Sequence, residues 1–321
     1  MIKFKNSVHR FIAAFSFTSG LLMSLQAIAD TEIAESLPSD NVTNVTINNH
    51  SGLINVIGWD KAKISVTGTL DDDAEKLIFE RKGAQMLIEV EYPRMDNWHA
   101  DGSKITVFMP KNIRMKSGSI SSDIHLSNLH GGVEIKTVSG DIEAKNLSQS
   151  IEINSISGEI NTTNLAGKIA ISAVSGDIND KNSSGRLEIR AVSGEVVSSS
   201  EAKEVFFNNV SGDSDLELSE VVEFRIRTVS GNLSAKFALA QKGLLKASTV
   251  SGDMNLTFQD DIDADFTLKS SVGGDIDNNI TAVKAEHDEY GPGAKLNFQT
   301  GKGSALVSVS TVNGNVTVSS K

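Results

Sequence analysis

Six acidic residues stand at the same place in a recurring phrase. Asp123, Asp141, Glu159, Asp177, Glu195 and Asp213 each follow a Ser-Gly or Ser-Ser pair, and each lies 18 residues after the last. Asn232, Asp253, Asp275 and Asn315 continue the series at wider spacing. If the copies stack in register, neighbouring carboxylates come about 5 Å apart and repel by roughly 1 kcal/mol in water, more if desolvated. Two chemistries resolve that repulsion. A ladder of shared divalent cations is one, because Ca2+ takes several carboxylate and carbonyl oxygens. Simple turn chemistry on a solvated edge is the other, since Asp beside Gly favours tight turns. The nine-residue glycine–aspartate spacing of calcium-binding rolls is absent, which favours turn chemistry; Ca2+ is the one candidate cofactor.

A second acidic group is Asp260-Asp-Ile-Asp-Ala-Asp265. On a strand, Ile262, Ala264 and Phe266 face inward, which puts Asp261, Asp263 and Asp265 on one outer face. Three carboxylates about 7 Å apart suit a hard cation, or an acid/base pair flanking a sugar. A solvated face that blocks edge pairing is the plainer reading. His287-Asp-Glu-Tyr290 holds ligand types but sits beside Gly291-Pro-Gly293, and the other histidines have no ligand spacing. Trp59, Trp98 and Tyr92 form either core or a carbohydrate-stacking platform. No nucleophile elbow, zinc-protease helix motif or phosphate-cradling glycine loop occurs.

The elements that must position these residues come from the repeat itself. Val138-Ser-Gly-Asp-Ile142 or a close relative appears ten times, beginning at residues 120, 138, 156, 174, 192, 210, 229, 250, 272 and 312. A period near 20 predicts a parallel β-solenoid, each coil covering its neighbour's apolar face. Ile142 and Ala144 alternate with Glu143 and Lys145; Ile151, Ile153 and Ser155 alternate with Glu152 and Asn154. That pattern gives two short strands per coil, with Val138 and its counterparts closing the coil at the next Ser-Gly. Asn128, Asn146, Asn164 and Asn182 mark a second corner. About ten coils make a rod of roughly 50 Å. Residues 45–116 are β-rich without the repeat and are expected to cap its first coil, after a polar leader over 30–44. The wide gap before Val312 implies a loop leaving the rod near 277–303, and the solenoid spans 117–321.

Residues 1–29 read as a signal peptide. Lys3, Lys5 and Arg10 precede an apolar stretch from Phe11 to Leu25, and Ala27-Ile-Ala29 is a small-x-small cleavage site. Removal leaves 292 residues and moves the net charge from −11 to −14. That balance disfavours nucleic acid and anionic lipid as partners. The chain has no cysteine, hence no disulfide, thiol chemistry or lipidated anchor, and no later stretch is long and apolar enough to span a membrane.

These motifs resemble a family of bacterial envelope β-strand-repeat proteins of unknown function that carry an adhesin label. The resemblance rests on Asn49-His-Ser-Gly-Leu-Ile-Asn-Val56 with Gly58-Trp-Asp60, on Phe108-Met-Pro-Lys111, on the Val-Ser-Gly-Asp-Ile series, and on Gly301-x-Gly303. It implies a parallel β-solenoid in the periplasm or at the cell surface, and it supplies no catalytic residues. The expected function is a non-enzymatic, adhesin-like or structural binding surface for envelope glycans or proteins. The alternatives are a polysaccharide-active β-helix enzyme and a periplasmic partner of a signalling or assembly system.

Overall fold

Alternation of apolar and polar residues at period two puts every second side chain into one continuous core, and the resulting strands stack in parallel. The computed structural model describes residues 31–93 and 102–321. The expected signal segment, Trp98 and His99 lie outside them. All 22 elements among the described residues are strands, so the chain is an all-β parallel solenoid. No helix there is long and apolar enough to cross a membrane.

In the strict repeat one strand makes up most of a rung, as in Ile142–Ser157, Ile160–Ser175 and Ile178–Ser193. Their pairing is direct: Ile142 lies beside Ile160, and Ile160 beside Ile178. The expected coil of two strands needs correction. The backbone bends at three left-handed positions per rung while the ladder carries on through the bends. In one rung these are Gly158, Asn164 and Gly167, with φ of 115°, 56° and 114°. Asparagine tolerates that region because its short amide can bond locally. Here the amides bond each other: Asn146, Asn164 and Asn182 each donate Nδ2 to the Oδ1 of the asparagine one rung earlier, at 3.0–3.2 Å. At the first corner only glycine fits, since a Cβ on Gly158 would stand 2.3 Å from the Gly140 carbonyl oxygen.

The segment before the repeat is more than a cap. Asn44–Trp59 is itself a rung, pairing in parallel with Arg114–Leu129 so that Ser51 meets Ser121 and Ile54 meets Ile124. His50-Ser-Gly-Leu-Ile54 is therefore a degenerate copy of the repeated phrase. Gln85–Glu91 and Ser103–Pro110 form a further rung outside it. Antiparallel strands then cover this outer rung: Lys63–Leu70 lies on Ser103–Pro110, and Lys76–Lys82 on Gln85–Glu91. Thr31–Pro38, expected to be a leader, is a strand antiparallel to Lys63–Leu70. Its mostly exposed side chains carry no alternating pattern, which is why the sequence hides it.

The far end is closed in the same way, and out of chain order. Ala305–Asn313 and Val316–Ser320 insert between the rung at residues 244–258 and the rung at residues 264–278. The last segment of the chain is thus the penultimate rung. Ala294–Gln299 then pairs antiparallel with Ala264–Gly273 and covers the end. Residues 286–292 are exposed, as expected of a loop leaving the rod. Inside this half runs a line of edge-to-face rings, Phe224, Phe237, Phe258 and Phe266, with centroids 4.9–5.4 Å apart, and Phe298 stacks on Phe266.

Candidate functional site: an aliphatic ladder on the rod

The first residue of the repeated phrase does not join the core. In the rung ending at Ser139, Val133, Ile135 and Thr137 face inward, so Glu134, Lys136 and Val138 face out. All ten counterparts, from Ile120 to Val312, are 41–56 % exposed. The pairings of Ser121 with Ser139, Ser157 with Ser175 and Ser175 with Ser193 bring them into one column. The column stays aliphatic through the swapped end, in the order Val250, Val312, Val272. Thr137 and Ser155, inward at the next position, turn their hydroxyls to the corner and donate to the carbonyls of Ser139 and Ser157 at 2.8 and 2.9 Å. The expectation that the valine closes the coil is thereby corrected: the valine stays outside, and in these two rungs a hydroxyl closes the coil.

Burying a Val or Ile fully is worth about 1.5–3 kcal/mol, so each half-exposed member forfeits roughly 1 kcal/mol. A β-branched residue suits an extended strand end, but Thr would serve as well and stay soluble. None of the ten positions uses Thr. Beside the ladder, between Val138–Val192 and the outward column Lys136, Asn154, Ser172, Arg190, lies a groove of about 530 Å³.

Two charged columns flank the ladder. The one two residues before it holds Lys136, Arg190 and Arg227 and no acid, and Lys269, three before Val272, joins it by pairing with Ser310 across a register shift. Lys136 and Arg190 bond Glu134 and Glu188 on their own strands. Glu134 also takes Lys116 at 2.7 Å, and the two ammonium groups hold its carboxyl down at about 2.

The column three residues after the ladder is the acidic one, and its repulsion is answered by the backbone. Asp141 N–H donates to Asp123 Oδ1, Glu159 N–H to Asp141 Oδ1, and Glu195 N–H to Asp177 Oδ1, all at 2.8–2.9 Å. Asp213, Asn232, Asp253 and Asn315 continue the scheme. Glu159, one methylene longer, instead accepts from the Asn179 amide. Among the described residues no group of three or more His, Asp or Glu side chains is arranged to hold a metal ion.

With this architecture in view, similarity to known proteins can be stated. Residues 2–197 and 184–319 each match the family described as Toastrack DUF4097. The chain belongs to the Toastrack family. No curated protein matches it. Among solved structures it is similar to a candidate cell adhesion protein from Clostridium sporogenes, with 12% identity over 91% of this chain and 100% of that one, TM-score 0.25. It is also similar to a candidate adhesin from Bacteroides fragilis, 11% identical over 91% and 98% of the two chains, TM-score 0.41. A third is a candidate lipid-binding protein from Parabacteroides distasonis, 17% identical over 70% and 96%, TM-score 0.34.

The other sequence-predicted residues of this Toastrack chain are placed apart. Asp261, Asp263 and Asp265 do alternate with buried Ile262, Ala264 and Phe266, but Asp261 sits in a turn, outside the strand that begins at Ala264. Asp263 is already engaged. Its Oδ1 accepts from the backbone N–H groups of Lys302 and Ser304 at 2.7 and 3.1 Å, which hold the carboxyl below the usual range. It therefore acts as a clamp for the turn at Gly301–Gly303 and leaves no triad of free carboxylates. His287–Tyr290 is an exposed loop whose residues do not converge. Trp59 stacks on Phe108 at 5.2 Å with Lys61 Nζ 4.8 Å from its centroid, and donates Nε1 to the Lys63 carbonyl. Tyr92 bonds Ser103 inside the outer rung.

Sequence reasoning passed over one carboxylate. Asp180 points into the core and is 1 % exposed. It accepts from the hydroxyls of Thr162, Ser183 and Ser198, and burial pushes its pKa up against those bonds. The signal was available, since Asp180 replaces Ala144 two repeats on, at an inward slot.

Proposed function

We propose that the chain is an exported, non-enzymatic scaffold of the cell envelope that works through protein contacts along its rod. The observation that carries this reading is the aliphatic ladder. A fold that buries its other apolar columns keeps one column of ten branched side chains half exposed, and such a continuous strip marks an interaction surface. Its aliphatic composition favours a protein partner over a glycan, which calls for aromatic platforms and hydrogen-bonding groups.

For the enzyme alternative, the carboxylates of the polar cleft are already engaged. The polar cleft of about 390 Å³ beside the acidic column contains Asp141, Glu143 and Lys181. Glu143 is held ionised by its bond to Lys145, the reverse of the raised carboxyl a glycosidase needs. The Asp141 Oδ1 is occupied by the Glu159 backbone.

The test is a photo-crosslinking residue placed in living cells at Val174 on the ladder, with Glu217 on another face as control. Cell fractionation accompanies it. Protein adducts from Val174 alone, in the envelope fraction, support the reading. A cytosolic protein, no adduct from Val174, or reducing-end release from envelope polysaccharide overturns it.

A further inference from the structure

We propose that the aliphatic ladder is a self-association surface, on which two copies of this chain pair with their rods parallel about a two-fold axis that runs along them. The proposal rests on the scaffold reading and names its partner. Three features of the ladder select a second copy over other proteins.

The first is its period. Ladder residues repeat at the rung spacing of about 4.8 Å. Side chains on one face of an extended strand repeat at about 6.7 Å, and turns of a helix at about 5.4 Å. Over ten rungs, roughly 43 Å, a helix drifts by a full turn and a strand by more. Only another stack of β-rungs stays in register throughout, and a second copy supplies one with the same aliphatic column.

The second feature is charge. Each coil lays down, in chain order, the cationic column, the ladder, a serine, the glycine corner and the acidic column. A two-fold axis along the rod reverses that order in the facing copy. Lys136 then meets Asp141 of the second copy on the same rung, Arg190 meets Glu195, and Lys269 meets Asp275. Lys269 makes no ion pair of its own among the described residues and is open to such a partner, while Arg227 meets the uncharged Asn232. An antiparallel pair would instead set the acidic column against itself, which is repulsive along the whole length.

The third is area. Measured along the chain through the glycine corner, the strip from the cationic to the acidic column is at most about 16 Å wide and about 43 Å long, an upper bound of roughly 700 Å² per copy against the ~800 Å² that a stable interface buries on each side.

The experiment combines sedimentation with distance measurement on the purified protein. The chain has no cysteine, so single nitroxide labels can be placed by Ser127→Cys, Lys181→Cys and Lys236→Cys, which share one column away from the ladder. The expected result is a dimer in which all three labels report the same inter-copy distance. Val174→Lys with Val192→Lys should give a monomer with an unchanged circular dichroism spectrum. Arg190→Glu should weaken association at least tenfold, and adding Glu195→Arg should restore it.

A monomer at every concentration overturns the proposal. So do distances that differ among the three labelled rungs, as an antiparallel pair requires, and so does failure of the charge reversal to rescue. The two readings separate on the Val174 adduct. A foreign protein captured there while the purified chain is monomeric ends self-association and leaves the scaffold standing, and no adduct with a monomer ends both.

Discussion

Asp180 sets the sharpest residue-level test, because it is a carboxyl held inside an otherwise apolar and hydroxyl-lined core. Three hydroxyls offer it hydrogen bonds, yet desolvation dominates and raises its pKa. The sign follows from linkage. A carboxyl whose folded pKa lies above its unfolded value favours the fold while protonated, fully so below the ordinary Asp range near 3.8. That contribution is lost as pH rises through the folded pKa. Asp180→Asn keeps the shape and the bonding while removing the titration. Urea unfolding across a pH series should therefore show wild type and variant closest near pH 3.5 and the variant gaining steadily above it. A constant difference between them would mean that the carboxyl does not change ionisation on folding. Asp180→Ala leaves Thr162, Ser183 and Ser198 without their acceptor and should cost about 1–3 kcal/mol.

At the scale of the element, the acidic column belongs to the backbone ladder: each aspartate Oδ1 receives the amide of the next rung. Charge-assisted bonds of this kind are among the stronger ones and offset the repulsion down the column. Calcium titration of the purified protein should then leave its melting temperature unchanged. Glu159→Asp, which shortens the side chain to the length used elsewhere, should raise it slightly. A saturable rise of wild type with Ca2+ would instead assign the column to cation binding. The rung was legible in the sequence where alternation is strict, since Ile142, Ala144, Ile151 and Ile153 are all buried as their spacing requires. The ladder was legible too, had alternation been carried one step further: Ser155 inward makes Ile156 outward. The corner at Asn164 was legible from the recurring asparagine; what could not be read was the bend at Gly167, because a left-handed residue redirects a strand without interrupting its pairing. His50-Ser-Gly-Leu-Ile54 was hidden by its missing valine and aspartate, though its backbone register is that of the repeat.

On the scale of the whole molecule, both ends of the stack are built out of chain order, and for one reason. A parallel stack leaves unpaired amides and carbonyls on its last rung, and an antiparallel strand can cover them only if the chain turns back over it. At the first end the chain lays Asn44–Trp59, goes outward to Ser103–Pro110 under its antiparallel cover, and re-enters on the other side at Arg114–Leu129. At the second it lays Ala264–Asn278 and the covering Ala294–Gln299, then fills the space behind them with Ala305–Ser320. Repeat spacing carries no information about that order, which is why the gap of 40 residues before Val312 reads as an insertion. The consequence is a dependence that runs backward along the chain. Deleting residues 305–321 removes the parallel partner of Ala264–Gly273 on one side and of Leu244–Ser251 on the other. Because rungs touch only their neighbours, the loss should stay local. Amide hydrogen exchange of the truncated protein should show lost protection over 264–299 and full protection over 124–226. Protection kept over 264–299 would mean that this rung can slide down onto residues 244–258, and that the last segment fastens the end without being needed to build it.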